Sequence, residues 1–351
     1  ESLEQRYLSY DPSEQFIKAV EREIRFGIQS PKLVDLPLSP LFRFDVIHER
    51  ENTIPYSLDT AAAILGAEMI PFKNFRLAIE PQVSLTNLEC ETLLQGEESN
   101  DCSGDIFQEN NERRRIDKGL RQSAKLGPTL TYDGRDDPIN PHKGLWLHTS
   151  AQSVTGRSQE NSSAQFEPFS YTKIESSLTA YLPLWSATFA LSLRGGTILN
   201  TRNSAIPIDE RFYVGGRDTL RGYIEGTIIP EDVCVLDNAN NAINLEDCAE
   251  TLLVEDGGTP ISRGGNTFAL MKSELRLPFS ENFSLGLFVD VGNLWVDQPT
   301  SGNLNWRVGT GAGIRYKTPV GALALDWGFN PNPRKDYNEE QSNIHFSVGL
   351  F

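Results

Sequence analysis

Hydrophobic and polar residues alternate with a period of two along most of the chain, and almost no segment shows the 3.6-residue spacing of an amphipathic helix. Between Phe75 and Thr86, the residues Phe75, Leu77, Ile79, Val83 and Leu85 share one face, and Arg76, Glu80, Gln82, Ser84 and Thr86 share the other. From Phe268 to Leu277, Ala269, Met271, Ser273, Leu275 and Leu277 oppose Leu270, Lys272, Glu274 and Arg276. From Trp306 to Lys317, Trp306, Val308, Thr310, Ala312, Ile314 and Tyr316 oppose Arg307, Gly309, Gly311, Gly313, Arg315 and Lys317. Such segments predict 13 strands, near 14–29, 41–52, 57–70, 74–88, 117–134, 143–156, 166–182, 186–200, 266–280, 283–297, 304–318, 320–330 and 341–351.

The connections sort into two classes. Those at 70–74, 136–143, 183–185, 280–282 and 319–320 are tight, whereas 89–116, 157–165, 201–265 and 331–340 are longer or polar. The 31–40 connection falls on the short-turn side but is long for it. A soluble sandwich would produce the same alternation. The amount of charge on the second face, the number of strands and the asymmetry of the connections favour an all-β transmembrane antiparallel β-barrel with a polar lumen and a lipid-facing band. Bacterial single-chain barrels have an even strand count, and an open sheet in lipid would leave edge groups without partners. The odd count therefore predicts that about three strands, completing a barrel of about sixteen, are supplied from elsewhere.

Composition narrows the function. With 48 acidic and 32 basic residues the formal charge is −16, which argues against a nucleic-acid partner. No run of 18 apolar residues exists, so no transmembrane helix is expected. Glu1 opens a polar stretch without a signal-peptide pattern, as expected of a mature chain or a piece of a longer one. The four cysteines form two local pairs, Cys90 with Cys102 and Cys234 with Cys248, far in sequence from His48, His142, His148 and His345. Neither pair has zinc-ligand spacing. Two loop disulfides are expected, each stabilising by roughly 3 kcal/mol in the chain-entropy model, in an oxidising compartment.

The longest connection carries Phe212-Tyr213-Val214-Gly215-Gly216-Arg217-Asp218-Thr219-Leu220-Arg221-Gly222-Tyr223. This run resembles the F-x-x-G-G-x-x-x-x-R-G-[FY] lid-loop motif of the BamA/TamA-type outer-membrane assembly-factor superfamily. The strand 284–295, with Phe288, Asp290, Gly292, Asn293 and Trp295, resembles that family's F-x-D-x-G-N-x-W strand, and 311–321 and 325–328 follow in its order. Upstream, Tyr132-Asp133-Gly134-Arg135-Asp136 and Asn140-Pro141-His142-Lys143-Gly144 are similar to its turn motif. The resemblance spans 117–351 and is looser before that.

It implies that 1–351 is an outer-membrane barrel incomplete on its N-terminal side, lacking about three strands and periplasmic POTRA-type domains, with 201–265 as a lid loop folded into the lumen. Alternation places Glu274 and Asp290 on inward faces of neighbouring strands as the expected partners of Arg221, because a guanidinium fork gives bidentate, charge-assisted bonds to carboxylates. Gly215, Gly216 and Gly222 would supply positive φ and close packing, with Tyr223 closing the motif. At the end of the chain, Ile344, Phe346, Val348, Gly349 and Phe351 belong to a last strand that resembles an insertion signal and would form one side of a lateral seam. Trp295, Trp306, Trp327, Tyr316 and Tyr223 suit either an interfacial girdle or the lumen.

Catalytic and metal chemistry find no support. There is no G-x-S-x-G, no phosphate loop and no histidine grouped with acids at metal spacing, so no enzyme activity, cofactor or metal is expected. Asp133, Asp136 and Asp137 beside Arg135, Pro138 and Pro141 read as turn chemistry, and the acidic 89–112 stretch does not fit a calcium loop. The function implied is insertion of β-barrel proteins into the outer membrane through a seam. The expected partners are unfolded outer-membrane β-barrel substrates, the lipid bilayer with its lipopolysaccharide, and periplasmic lipoproteins of an assembly complex. The alternatives are a TamA-like factor, a two-partner-secretion transporter and, further off, a porin or the barrel anchor of a fused patatin-like enzyme.

Overall fold

A computed structural model of the chain describes residues 21–30, 40–52, 56–90, 119–160, 166–200, 204, 206–236, 250–253, 262–299, 304–318, 321–337 and 339–348. Their ordered elements are β1 (Arg22–Gln29), β2 (Leu41–Asn52), β3 (Tyr56–Phe72), β4 (Phe75–Ile79), β5 (Gln82–Cys90), β6 (Gly119–Leu126), β7 (Pro128–Asp133), β8 (Gly144–Glu160), β9 (Phe166–Leu184), β10 (Ala187–Asn200), β11 (Val233–Leu236), β12 (Glu250–Leu253), β13 (Thr267–Pro278), β14 (Phe283–Trp295), β15 (Arg307–Thr318), β16 (Gly321–Phe329) and β17 (Ser342–Val348). Short 3-10 turns occupy Ile208–Glu210 and Lys335–Tyr337. No described helix is long and apolar enough to cross a membrane.

Fifteen strands form one sheet, and each pairs antiparallel with its neighbours. Against β3, β4 pairs Ala67 with Ile79 and β5 pairs Ile64 with Gln82, which is one continuous register interrupted at Glu80–Pro81. β6 and β7 likewise keep one register against β8 on either side of Gly127. Pro81 donates no ladder bond, and at Gly127 the backbone runs so close to the Ala151 carbonyl that a Cβ there would overlap it; these residues mark the two interruptions. Each of these pairs of strands is therefore one crossing. With β11 and β12 set apart as a small parallel pair inside the 201–265 connection, the sheet makes thirteen crossings, one for each strand expected from the alternation. The parallel pair itself had no signal in the sequence.

The two faces differ as a barrel in lipid requires. Leu193, Met271, Leu287, Val289, Ile314, Tyr316, Leu325 and Trp327 are exposed on the outer face. On the inner face Lys272, Glu274, Arg276, Asp290, Arg307, Arg315 and Asp326 are buried. Trp306 is exposed, whereas Trp295 and Tyr223 are buried, so the aromatics divide between the two environments.

The inner face is buried by the chain itself. The main apolar cluster joins Ile206, Phe212, Val214, Leu220, Tyr223 and Ile228 of the long connection to wall residues that include Phe169, Tyr171, Phe268, Leu270 and Leu294. The hydrophobic core thus lies between the wall and the connection that enters it. Among the described residues β1 and β17 each have a single ladder neighbour, β2 and β16.

Candidate functional site

The Arg221 side chain meets the inner face of the wall formed by β13 to β16. Its Nε donates to Asp290 Oδ2 at 2.7 Å and its Nη2 to Asp290 Oδ1 at 2.8 Å, a two-pronged contact. Nη1 donates to Glu274 Oε2 at 2.7 Å and, more distantly, to Asp326 Oδ2 at 3.4 Å. The Arg221 backbone N–H also donates to Asp290 Oδ2, and the guanidinium lies 3.6 Å from the Phe288 ring centroid. The Asp290 side chain is wholly buried. In such a water-poor setting an unpaired carboxylate is costly, so the fork fixes where the connection sits.

The carboxylates have further partners. Arg315 Nη2 donates to Glu274 Oε2 at 2.7 Å and its Nη1 to Asp326 Oδ1 at 2.5 Å, and Arg276 Nε reaches Glu274 Oε1 at 3.0 Å. Lys272 Nζ donates to the carbonyls of Arg217 and Asp218. The structure thus places Arg221, Glu274 and Asp290 together and adds Asp326, Arg315, Arg276, Lys272 and Phe288. Inward parity on their strands was the available signal for the charged additions.

Gly215, Gly216 and Gly222 all have φ near +100°, at 116°, 96° and 99°. At Gly222 a Cβ would also stand 3.0 Å from Phe329 backbone atoms. The wall is cut away opposite. A Cβ on Gly309 would overlap the Arg221 carbonyl oxygen, and one on Gly328 would overlap the Gly222 nitrogen. These wall glycines make a groove that receives the Arg221–Gly222 peptide, a steric role that alternation alone does not reveal. Tyr223 donates its hydroxyl to Asn330 Oδ1 at 2.9 Å.

A second set of charges ties the other end of the connection, with polarity reversed. Here the connection supplies anions and the wall cations. Arg121 on β6 forks onto the Asp209 carboxylate, Lys125 Nζ lies 2.8 Å from Glu210 Oε1, and Lys173 Nζ on β9 donates to the Glu210 carbonyl at 3.0 Å. Residues 88 positions apart in sequence meet in this way, and no local pattern announced it. Farther along, Asp232 accepts the N–H groups of Val296 and Asp297, and Glu231 pairs with Arg334 and accepts from Asn305. The connection is therefore bonded to the loops that precede β15 and β17.

At the opposite end of the strands, the Asp136 Oδ1 accepts the N–H groups of Asp137, His142 and Lys143, each at 3.0 Å. Burial would raise this carboxyl, but the three N–H groups outweigh it and hold it below its ordinary value. Asp133 pairs with Arg135 at 2.8 Å. These acids hold the β7–β8 turn together.

On β17, Ile344, Phe346 and Val348 are exposed on the outer face. Gly349 and Phe351 lie outside the described residues. So do Cys102 and Cys248, one member of each expected cysteine pair. Cys234 is buried on β11.

Comparison with known proteins gives this architecture a family. The model of the Omp85 superfamily domain matches residues 76–351. The chain belongs to the Omp85 superfamily. It is accordingly an integral β-barrel protein of the outer membrane. The outer membrane protein assembly factor BamA of Nitratidesulfovibrio vulgaris Hildenborough is 27% identical over 164 residues, covering 45% of this chain and 17% of that protein. The chain thus matches about a sixth of that relative's length. Among solved structures, BamA from Haemophilus ducreyi lacking POTRA domains 1–3 superposes with a TM-score of 0.64 at 15% identity, covering 94% of this chain and 62% of that one. CdiB from Acinetobacter baumannii gives 0.51 at 15% identity, covering 94% and 50%. As an Omp85 member, the chain carries its R-G-Y run at the place where the connection meets β13 to β17, and the family match takes in all the wall residues around Arg221.

Proposed function

We propose that this Omp85 protein inserts β-barrel proteins into the outer membrane, as the C-terminal part of a barrel of about sixteen strands. In this reading the 201–265 connection is a lid that fills the lumen, anchored by Arg221 on Glu274 and Asp290, and periplasmic POTRA-type domains lie upstream. The last strand is one side of a seam. An incoming strand pairs with its edge by β-augmentation, where main-chain bonds provide affinity with little demand on sequence.

The observation that carries the reading is the pairing of β17. Its ladder to β16 runs over seven described residue pairs, from Leu323 with Val348 to Phe329 with Ser342, against nine between β15 and β16. Clients would be unfolded outer-membrane barrels, the surroundings lipid and lipopolysaccharide, and the accessory subunits periplasmic lipoproteins. The Cys90–Cys102 and Cys234–Cys248 disulfides would staple outer loops, as an oxidising compartment permits.

The lid-loop motif, which also resembles that of two-partner-secretion transporters, supports a second reading, transport of a secreted partner through the pore. Reconstitution of the full-length protein in proteoliposomes separates the two. The insertase reading expects an added unfolded β-barrel protein to fold into the vesicles faster than into empty ones. No acceleration, together with delivery of a secreted partner into the vesicle interior, would sink it in favour of transport.

A further inference from the structure

The inward-facing residues of β17 have no part in the seam as described so far. Ile344, Phe346 and Val348 point outward, which leaves Asn343 and His345 on the inner side of the same strand. Both touch the Arg-Gly run. The Gly222 N–H donates to His345 Nε2 at 3.2 Å, and Asn343 Nδ2 donates to the Gly222 carbonyl at 3.0 Å. Two side chains one turn of the pleat apart therefore hold both polar groups of a single residue. A third bond runs from Arg217 Nη1 to the Phe346 carbonyl at 3.2 Å.

Several features make this contact a built one. Gly222 reaches β17 because the wall glycine Gly328 leaves room for its nitrogen, and because its own positive φ turns the peptide toward the strand. The Arg221 fork, one residue earlier, fixes the height of that peptide against β13 and β14. A buried peptide group needs partners for its N–H and its C=O. Here the edge strand supplies them.

We infer that Asn343 and His345 are positioning residues that latch the last strand to the long connection, so that β17 is held from inside the barrel as well as by its ladder to β16. The inference rests on the seam reading and gives it a control element. β17 would keep its orientation while its outer edge accepts a client strand, and it would move with the connection when the latter shifts. Peeling β17 from β16 would then require either release of the Gly222 peptide or displacement of the connection.

The test uses the full-length protein in proteoliposomes, with spin labels at Ile224→Cys on the connection and Val348→Cys on β17. Pulsed electron–electron double resonance should give one narrow distance distribution in the parent. The Asn343→Ala/His345→Ala variant should broaden it at least twofold and change the rate at which an unfolded β-barrel client folds. His345→Gln keeps a side-chain acceptor for the Gly222 N–H and should restore the narrow distribution. Unchanged distributions in all variants would overturn the latch.

Should the double variant fail to fold, seen as loss of heat-modifiable migration, Asn343→Ala alone against His345→Gln makes the same comparison. A parent that gives no client folding while its distances respond as expected would overturn the insertion reading and leave the latch standing. A parent that folds clients and a double variant indistinguishable from it in both readouts would do the reverse.

Discussion

Removing Arg221 tests the inner-wall cluster most directly, because its cost can be placed on one partner. In Arg221→Ala, Glu274 keeps Arg315 at 2.7 Å and Arg276 at 3.0 Å, and Asp326 keeps Arg315 at 2.5 Å. Asp290, fully buried in the parent, loses both prongs of its fork and keeps the backbone N–H of residue 221. Breaking a buried pair by deleting one partner typically costs about 3–5 kcal/mol, chiefly as the penalty of the charge left behind. The lost contact with the Phe288 ring adds to this, by up to about 2 kcal/mol when desolvated. The barrel transition of the full-length protein in detergent, followed by tryptophan fluorescence against urea, should show a loss of about 3–7 kcal/mol.

Asp290→Asn removes the charge that becomes unpaired, so Arg221→Ala should cost about 2 kcal/mol less in that background, within the range seen for coupled neighbours. Arg221→Lys keeps the charge without the fork and should fall between alanine and the parent. If the two single costs add to within about 0.5 kcal/mol, the residues do not act as a pair and the reasoning fails.

Three other outcomes are expected. Arg121→Asp and Asp209→Arg should each raise protease cleavage in the 201–265 connection, and the double exchange should restore protection, whereas equal cleavage in all variants would deny the clasp any holding role. Gly328→Val should dislodge the Arg221–Gly222 peptide, since even a Cβ there overlaps the Gly222 nitrogen, and should lower the urea midpoint by more than Ala324→Val; a smaller effect would contradict a seated peptide. The turn held by Asp136 should be acid-sensitive. Its folded pKa lies below the ordinary aspartate value because three backbone N–H groups bond the carboxylate, so its contribution is fully present above the unfolded pKa and is lost as pH falls through the folded one. Amide exchange at His142 and Lys143, corrected for intrinsic rates, should lose protection in that range, and Asp136→Asn should remove the pH dependence.

The wall was legible in the sequence because strand alternation is local. A period of two sends every second side chain to one environment, and lipid outside with charge inside made the two sets distinct. The thirteen crossings and the inward Glu274 and Asp290 follow from that, and the R-G-Y run marked the segment that would meet them. The interruptions at Glu80–Pro81 and Gly127 left the register intact, so they did not disturb the count.

Contacts between segments distant in sequence had no such signal. Arg121 finds Asp209, and Asn343 with His345 finds Gly222, across 88 and more than 120 positions. Gly309 read as a member of a polar face and Gly328 as part of a family-like stretch, and only the connection folded against them shows that they are a groove. The sequence by itself determined which residues face lipid and which face the lumen, because that choice repeats at every strand step. Tertiary structure alone decided which inward residues pair, because the path of the 201–265 connection through the lumen is set by the joint fit of charges, ring and glycine groove, and no single segment contains it.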